Sequence, residues 1–503
     1  MNPHEPLRIG SLYEGLAARI AALRADDSAV ARSRAVVDAA LGDGQAYYGV
    51  NTGFGVLANQ RVPADQLDRL QLNLLLSHAV GLGPLVPKPI ARLMLQLKIV
   101  ALGRGFSGVS LPVFRQLLAM EAHDLVPAVP SKGSLGASGD LAPLAHLALT
   151  LLGMGEVWRA DGSGTEPASV ALARAGLSPV VLAPKDGLAL INGTQLMLGY
   201  GAFVLHRAER LVRSADVLAS ITLEALRGSL VPFDARVHAV RPHRGQRQVA
   251  ANVRALMQDS EILESHKDCG RVQDPYSLRC VPQVHGASRD ALAHVTEVIE
   301  VELDSVTDNP LVFDDGDILS GGNFHGQPLA LVLDYAAIAL AEIASISERR
   351  TYLLLTGTDG LPRLLMRDTG INSGFMIPQY TAAALVSQNK ILAHPASVDS
   401  IPTCLGQEDH VSMGSLGALK LLEVLENVEQ VLAIEAITAA QALDYRDPLS
   451  PGRGVAAAHR CLRAKVAHKE ADAFFGDDIA ATVQLLRDGA LVSAAEAAVG
   501  PLA

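Results

Sequence analysis

Gly133-Ser134-Leu135-Gly136-Ala137-Ser138-Gly139-Asp140, followed at once by the largely apolar stretch Leu141 to Leu152, is the segment on which this 503-residue sequence is organised. Gly139 has no Cβ, so its backbone can enter turns closed to other residues. Its amide nitrogen can then approach the carbonyl carbon of Ala137. Attack there closes a five-membered ring and releases one water. Loss of the Ser138 hydroxyl as a second water leaves an exocyclic methylidene, a strong carbon electrophile. The product of such a closure would be a methylidene-imidazolone, made by the chain from Ala137, Ser138 and Gly139. Asp140 is placed to help move protons. Pro143 falls in the first turn of the next helix, where proline is tolerated, and the positive helix end sharpens the electrophile. A blander reading makes the segment a flexible loop with Ser138 or Asp140 as N-cap. A phosphate-cradling loop is excluded, since no Gly-Lys-Ser/Thr ending follows and no clear strand precedes.

Composition sets the frame around that loop. Hydrophobic residues make up 49% and charged residues 19%, which suits a large buried core, and only 4% is aromatic. Ala and Leu dominate, favouring helices over sheets. A net charge of -11 with no basic stripe argues against a nucleic-acid partner. Cys269, Cys280, Cys404 and Cys461 form no CxxC pair and no metal-like cluster, so free thiols in a reducing cytoplasm and no metal are expected. The N-terminus does not read as a signal peptide. Gly187 to His206 and Ile371 to Asn389 lack formal charge, but Gly, Asn, Gln or Pro interrupts both. Buried helices with loops fit them better than membrane spans. Asn192-Gly193-Thr194 matches a glycosylation acceptor only weakly, without a secretory signal.

Periodicity predicts short amphipathic helices over 10–41 and a helix over 66–79 carrying Leu67, Leu70, Leu74 and His78. Further helices are expected over 90–102 and 111–124, then a mixed surface excursion over 156–185. From residue 195 the chain reads as nearly all helix: 195–228, 286–306, 327–354, 377–392 and 412–444, with shorter ones after 455. Long helices apolar on more than one side, such as the one bearing Leu421, Leu425, Val428 and Leu432, predict an elongated all-α bundle extended by association with other copies. A smaller, loop-containing N-terminal region, 1–110, carries the Tyr48 loop and His78. The helical-bundle region, 111–503, carries Ala137-Ser138-Gly139.

Polar loops too specific for connectors punctuate these helices. Gly44 to Val56 holds Tyr47-Tyr48-Gly49-Val50-Asn51-Thr52-Gly53-Phe54-Gly55, whose tyrosines either anchor the loop to the core or serve chemistry. Asn192-Gly193-Thr194-Gln195, Gln273 to Cys280, Ser320 to Gly326 and Gln407-Glu408-Asp409-His410 follow.

Together with Ser77-His78-Ala79 and Gly136 to Leu144, these stretches resemble the ammonia-lyase family that builds a methylidene-imidazolone electrophile, in particular its members that act on histidine. The resemblance runs from about residue 8 to the end, in the family's order. It implies elimination of ammonia from L-histidine to give urocanate in a cytoplasmic homotetramer, each active site being shared among three subunits. It further implies roles for single residues. Tyr48 is the base for the β-proton, its pKa brought down by a positive helix end. Arg279 offers a planar fork to the substrate carboxylate. Asn192 and Tyr276 hydrogen-bond around the electrophile and the amine, Gln273 positions substrate, and Phe324 packs beside the electrophile. His78 and Glu408 grip the imidazole, which both donates and accepts hydrogen bonds. Whether the electrophile captures the amine or the ring stays open. Gln388, His285 and Cys404-Leu405-Gly406 depart from the family's usual pattern. Rival readings are a tyrosine or phenylalanine ammonia-lyase, a related aminomutase, or a non-catalytic helical scaffold.

Overall fold

A computed structural model describes residues 5–43, 45–55, 59–267 and 270–503. Gly44, Val56 and Cys269, named above, lie outside the described residues. The chain is 61% helical, and its few strands form short antiparallel pairs, so the all-α expectation holds. It divides into two compact units. One comprises the chain up to Phe203 with Thr296–Asp334 and Pro395–Leu419. The other comprises Val204–Val295, Tyr335–His394 and Lys420–Ala503. The Tyr48 loop and the Ala137-Ser138-Gly139 turn, on either side of 110/111, both belong to the first unit.

In that unit the helix Lys88–Gly103 opens with proline in its first turn and is buried nearly all round by Ile90, Leu93, Met94, Leu97 and Ile99. It packs on Leu12–Ala25 and Leu111–Ala122. Each such aliphatic side chain contributes about 1.5–3 kcal/mol when fully buried. The helices Leu67–His78, Leu141–Leu149 and Asp186–Ile191 pack against one another. His78 closes the first, Asp140 precedes the second, and Asn192 follows the third. Between the first two, the strand Leu82–Leu85 pairs antiparallel with Pro130–Lys132, Leu82 opposite Lys132. That pairing brings the chain leaving His78 beside the Gly133 loop, and the Gly81 amide donates to His146 Nε2 at 3.0 Å.

The second unit buries a chain of charged groups among apolar helix faces. Arg289 donates to Asp216 (2.6 Å), Asp216 meets His285 Nδ1 (2.7 Å), and Arg350 donates to His285 Nε2 (3.4 Å) and to Glu435 (2.5 and 2.8 Å). Asp216, His285, Arg350 and Glu435 are all fully buried. Thr222 and Ser347 hydroxyls complete the Glu435 carboxylate. His285, atypical in sequence, is the link between the two ion pairs.

Long helices occur where periodicity predicts them: Gln195–Ala225, Val281–Leu303, Gln327–Leu354, Met376–Leu392 and Gly414–Asp444. The 156–185 excursion contains a hairpin, Glu156–Trp158 with Thr165–Pro167, and the helix Ala168–Arg174. Gly187 to His206 is buried in and between two helices. By length and composition Gln327–Leu354 could cross a membrane, but 67% of its apolar window is packed inside the protein, and it carries the buried Arg350. Cys280, Cys404 and Cys461 are free thiols.

Candidate active site

The Ala137-Ser138-Gly139 turn is held by backbone. Gly136 and Gly139 bridge across it, and Gly139 lies against Gly193. Gly139 has φ +74°, and a Cβ there would stand 2.0 Å from the Gly193 carbonyl oxygen. Glycine is therefore required twice over, for conformation and for space. These residues fit the self-formed ring: the nitrogen that must attack carries no side chain to obstruct it, and a tight turn spans the residues to be joined.

Asp140 is fully buried behind the turn. Its amide donates to Gly193 O at 2.7 Å. Its carboxylate accepts from the Leu196 and Met197 amides (2.9 and 3.1 Å) and from the Ser415 and Ser134 hydroxyls (2.8 and 3.3 Å). The side chain thus caps the helix Gln195–Ala225 and not the helix that Asp140 itself precedes. Burial pushes its pKa up to about 6, against the pull of those donors. A carboxyl so placed can hold or release a proton near neutrality.

Two cavities meet at this turn. One, of about 410 Å³, is lined by Tyr48, Ser138, Asn192, Phe324 and His325. The other, of about 230 Å³, is lined by Ser77, His78, Gly139 and Thr403. Ala137 and Glu408 line both. A larger cavity of about 880 Å³ is bordered by Arg8, Arg19, Glu300 and Asp304, whose charges pair off (2.5 and 2.9 Å), and it contains none of the turn residues.

The adjacent tyrosines are placed differently. Tyr47 packs on the buried cluster of Val37, Val50 and Val312, and its hydroxyl donates to Asp43 at 2.5 Å. Tyr48 instead lines the cavity of about 410 Å³, its oxygen accepting from the Gly55 amide at 3.1 Å and its ring edge-on to Phe54. A depressed pKa was expected for Tyr48, and the surroundings act the other way. Burial raises it, the Gly55 amide opposes, and the Glu408 carboxylate adds to the rise.

His78 shares a hydrogen bond with Ser77 Oγ through Nδ1 (3.0 Å), and burial lowers its pKa, favouring the neutral ring. Glu408 accepts from the Thr403 hydroxyl at 2.6 Å across a tight turn in which Cys404 and Leu405 take φ of 51° and 56°. Left-handed backbone disfavours both side chains, and nothing in the structure explains the choice of Cys404 and Leu405 there. The following chain is stitched to the central loop, the Met413 amide donating to Leu135 O at 3.0 Å.

Asn192 is 3% exposed, which argues against glycosylation. Its amide donates to Asn309 O (2.8 Å) and Asp308 (3.3 Å). Behind it lie groups that sequence reasoning missed: Lys98 donates to Asn192 O at 2.6 Å, and Lys185 pairs with Asp308 at 2.7 Å, all buried. His325 was also passed over. It lines the cavity of about 410 Å³, stacks on His410 with centroids 5.9 Å apart, and accepts the Gln327 amide at Nδ1. The only sequence signal for it was its place in Gly322-Asn323-Phe324-His325.

Gln273, Tyr276 and Arg279 belong to the second unit and line neither cavity. Gln273 and Tyr276 are exposed. The Arg279 guanidinium stacks 4.6 Å over the Tyr276 ring, and its buried Nε has no hydrogen-bond partner among the described residues.

Known proteins place this arrangement. A family model described as aromatic amino acid lyase matches residues 10–464. The histidine ammonia-lyase of Gloeobacter violaceus is 52% identical over 476 residues, 94% of this chain and 92% of the relative. That of Anaeromyxobacter dehalogenans is 53% identical over 484 residues, 94% and 95% of the two chains. Among solved structures, histidine ammonia-lyase from Trypanosoma cruzi superimposes with a TM-score of 0.86 at 41% identity, covering 94% of this chain and 89% of that one. Tyrosine aminomutase from Streptomyces globisporus gives 0.90 at 36% identity, covering 99% of each. With its helical architecture, its glycine-bound turn and these matches over nearly the whole length, the chain belongs to the aromatic amino acid lyase family.

Proposed function

We propose that this protein eliminates ammonia from L-histidine to give urocanate. One observation carries the reading: His78 and Glu408 line the wall of the cavity that opens on Ala137, and Glu408 also lines the cavity of Tyr48 and Ser138. A methylidene-imidazolone formed from Ala137, Ser138 and Gly139 would supply the carbon electrophile there. The chain's own residues then do the rest. The Tyr48 oxygen takes the β-proton, and the Gly55 amide aimed at that oxygen favours its anionic form. His78, neutral and half-buried, and Glu408 hydrogen-bond the imidazole. Phe324 limits access of water, and Asn192 is held rigid beside Ser138. Asp140 exchanges protons during ring formation.

Arg279 binds the carboxylate, with Tyr276 and Gln273 near the amine, in a homotetramer whose sites draw on three subunits. An unsatisfied Arg279 Nε and an exposed tyrosine support that reading, as groups awaiting partners. A cytoplasmic location fits the free thiols.

The substrate follows from what Glu408 needs. A carboxylate facing an apolar ring loses hydration without recompense, whereas an imidazole N–H supplies a partner. The test is to incubate pure protein with histidine, tyrosine and phenylalanine and follow each unsaturated acid. Urocanate should dominate. In Glu408→Gln histidine turnover should fall at least about tenfold, roughly 1.4 kcal/mol, and discrimination against the other two should narrow. Preference of the wild type for tyrosine or phenylalanine, or a β-amino acid product, would replace this reading with the rival lyase or aminomutase.

A further inference from the structure

Lys98, Lys185 and Asp308 are three charged side chains in the first unit, each no more than 3% exposed. None of them lines either cavity. They surround one peptide. Lys98 Nζ donates to the Asn192 carbonyl at 2.6 Å, and no other hydrogen-bond partner of Nζ occurs among the described residues. Asp308 receives Lys185 Nζ at 2.7 Å, its neighbour's amide, Asn309 N, at 2.7 Å, and the Asn192 side-chain amide at 3.3 Å. The carbonyl held by Lys98 belongs to the peptide that joins Asn192 to Gly193, and Asp308 holds the side chain of the same Asn192. Gly193 is the residue pressed against Gly139, and its carbonyl takes the Asp140 amide.

A buried ammonium with a single neutral acceptor is an expensive way to fix a peptide, since desolvation is only partly offset. An apolar side chain of the same length would fill the space of the helix Lys88–Gly103 at less cost. What an amine adds is direction. It fixes the plane of the Asn192–Gly193 peptide, whose nitrogen borders Gly139 and from which the chain runs on to the Gly193 carbonyl pressed against it.

We infer that Lys98, supported by the Lys185–Asp308 pair, is a positioning residue for closure of the ring at Ala137-Ser138-Gly139. It acts through the Asn192–Gly193 peptide and touches none of the reacting atoms. This deepens the function proposed above and rests on the reading that these three residues cyclise. The step it would assist is balanced within the chain: the Gly139 nitrogen bonds to the Ala137 carbonyl carbon with loss of one water, and Ser138 loses its hydroxyl with a proton as the second. Burial, the largest influence on Lys98, lowers its pKa to about 7, and an amine in either protonation state still donates to the Asn192 carbonyl.

The test reads the mass of the peptide spanning Ser138 in freshly made protein, as a time course, alongside thermal midpoint and assembly state. Wild type should become lighter by two waters. Lys98→Met should fold yet lose the waters at least about tenfold more slowly, less than the roughly hundredfold or more of removing a donor that touches the reacting atoms, because Lys98 acts through a peptide. Lys98→Arg, which keeps a donor on a long stem, should restore part of the rate. Val455→Ala, a core truncation in the second unit, serves as a control for lowered stability alone, and it should lose both waters at the wild-type rate. If Lys98→Met is insoluble, Asp308→Asn is read in the same way, with slowed water loss expected. Water loss at the wild-type rate in folded Lys98→Met or Asp308→Asn overturns the inference while leaving the proposed function intact. Equal slowing in Val455→Ala also overturns it, showing a stability effect. An unmodified wild-type mass overturns the cyclisation reading itself.

Discussion

Asp140 and Asp216 are both fully buried, one in each compact unit, yet their carboxyl groups are driven in opposite directions. Asp140 meets only neutral donors, two amides and two hydroxyls, and burial carries its pKa up to about 6. Burial acts on Asp216 in the same sense, but the Arg289 guanidinium, then His285, more than offset it and hold the carboxyl below its usual value. The difference teaches where this protein stores order and where it stores reactivity. Around Asp216 the carboxylate is matched to a guanidinium and an imidazole, which hold it ionised. Around the central turn polar atoms are satisfied by backbone and hydroxyls. Geometry is fixed there, while the proton stays exchangeable.

The largest break in that comparison is Gly139→Ala. A Cβ has no room beside Gly193, so the two waters should not be lost and turnover should drop below about a thousandth of wild type. Mass and steady-state rate check this together; an active alanine variant would mean the turn is not the source of the electrophile. Asp216→Asn attacks the other side. Leaving Arg289 and His285 without their anion should cost about 3–5 kcal/mol in denaturant unfolding, while turnover per folded molecule stays unchanged. Tyr48→Phe removes an oxygen held by a backbone amide alone. Turnover should fall about 10²-fold with substrate binding retained, and near-normal turnover would reduce Tyr48 to packing.

The smallest effect concerns pH. Asp444 receives His459 (2.8 Å), Arg463 (2.7 Å) and His468 (2.6 Å). Burial raises its pKa, but His459, Arg463 and His468 together bring it down to about 2. A depressed folded pKa contributes stability that is present above about 4 and lost as pH falls through about 2, here about 2 kcal/mol. Asp444→Asn should therefore flatten the acid limb of a stability profile. Asp140 has the opposite sign: its raised pKa gives a contribution that is full below about 4 and lost as pH rises through about 6. An acid limb unaltered in Asp444→Asn would show that its partners do not hold this carboxyl ionised in this way.

Much of this was legible from residues. Gln195–Ala225 and Gly414–Asp444 read as helices because apolar positions recur around most of their circumference. Tyr48, Ser138, Asn192, Phe324 and Glu408 were legible as loop residues too specific for connectors, His78 on its helix only through the family resemblance, and the structure gathers all six in one unit. The helix Arg244–Leu256 was not anticipated, because Val249, Val253 and Leu256 are its only large apolar residues among Arg, Gln and Asn. Val281–Leu303 begins before the predicted 286, since Pro282 is tolerated in a first turn. Lys98 was silent for a different reason. A lone lysine in an apolar helix reads as a chain end reaching for water, and its partners come from segments remote in sequence. The direction of the Tyr48 shift was missed likewise, since burial is a property of everything packed around a ring and leaves no mark in the loop that carries it.

The contact between Gly139 and Gly193 sets a limit on portability. An engineer wishing to endow another scaffold with the electrophile proposed for this turn could copy Ala137-Ser138-Gly139 in three codons, but the turn owes its shape to a second strand of chain pressed against it at a distance no side chain tolerates. The transplantable module is therefore two segments, each with an obligatory glycine. A host lacking the second would display an inert loop of the right letters.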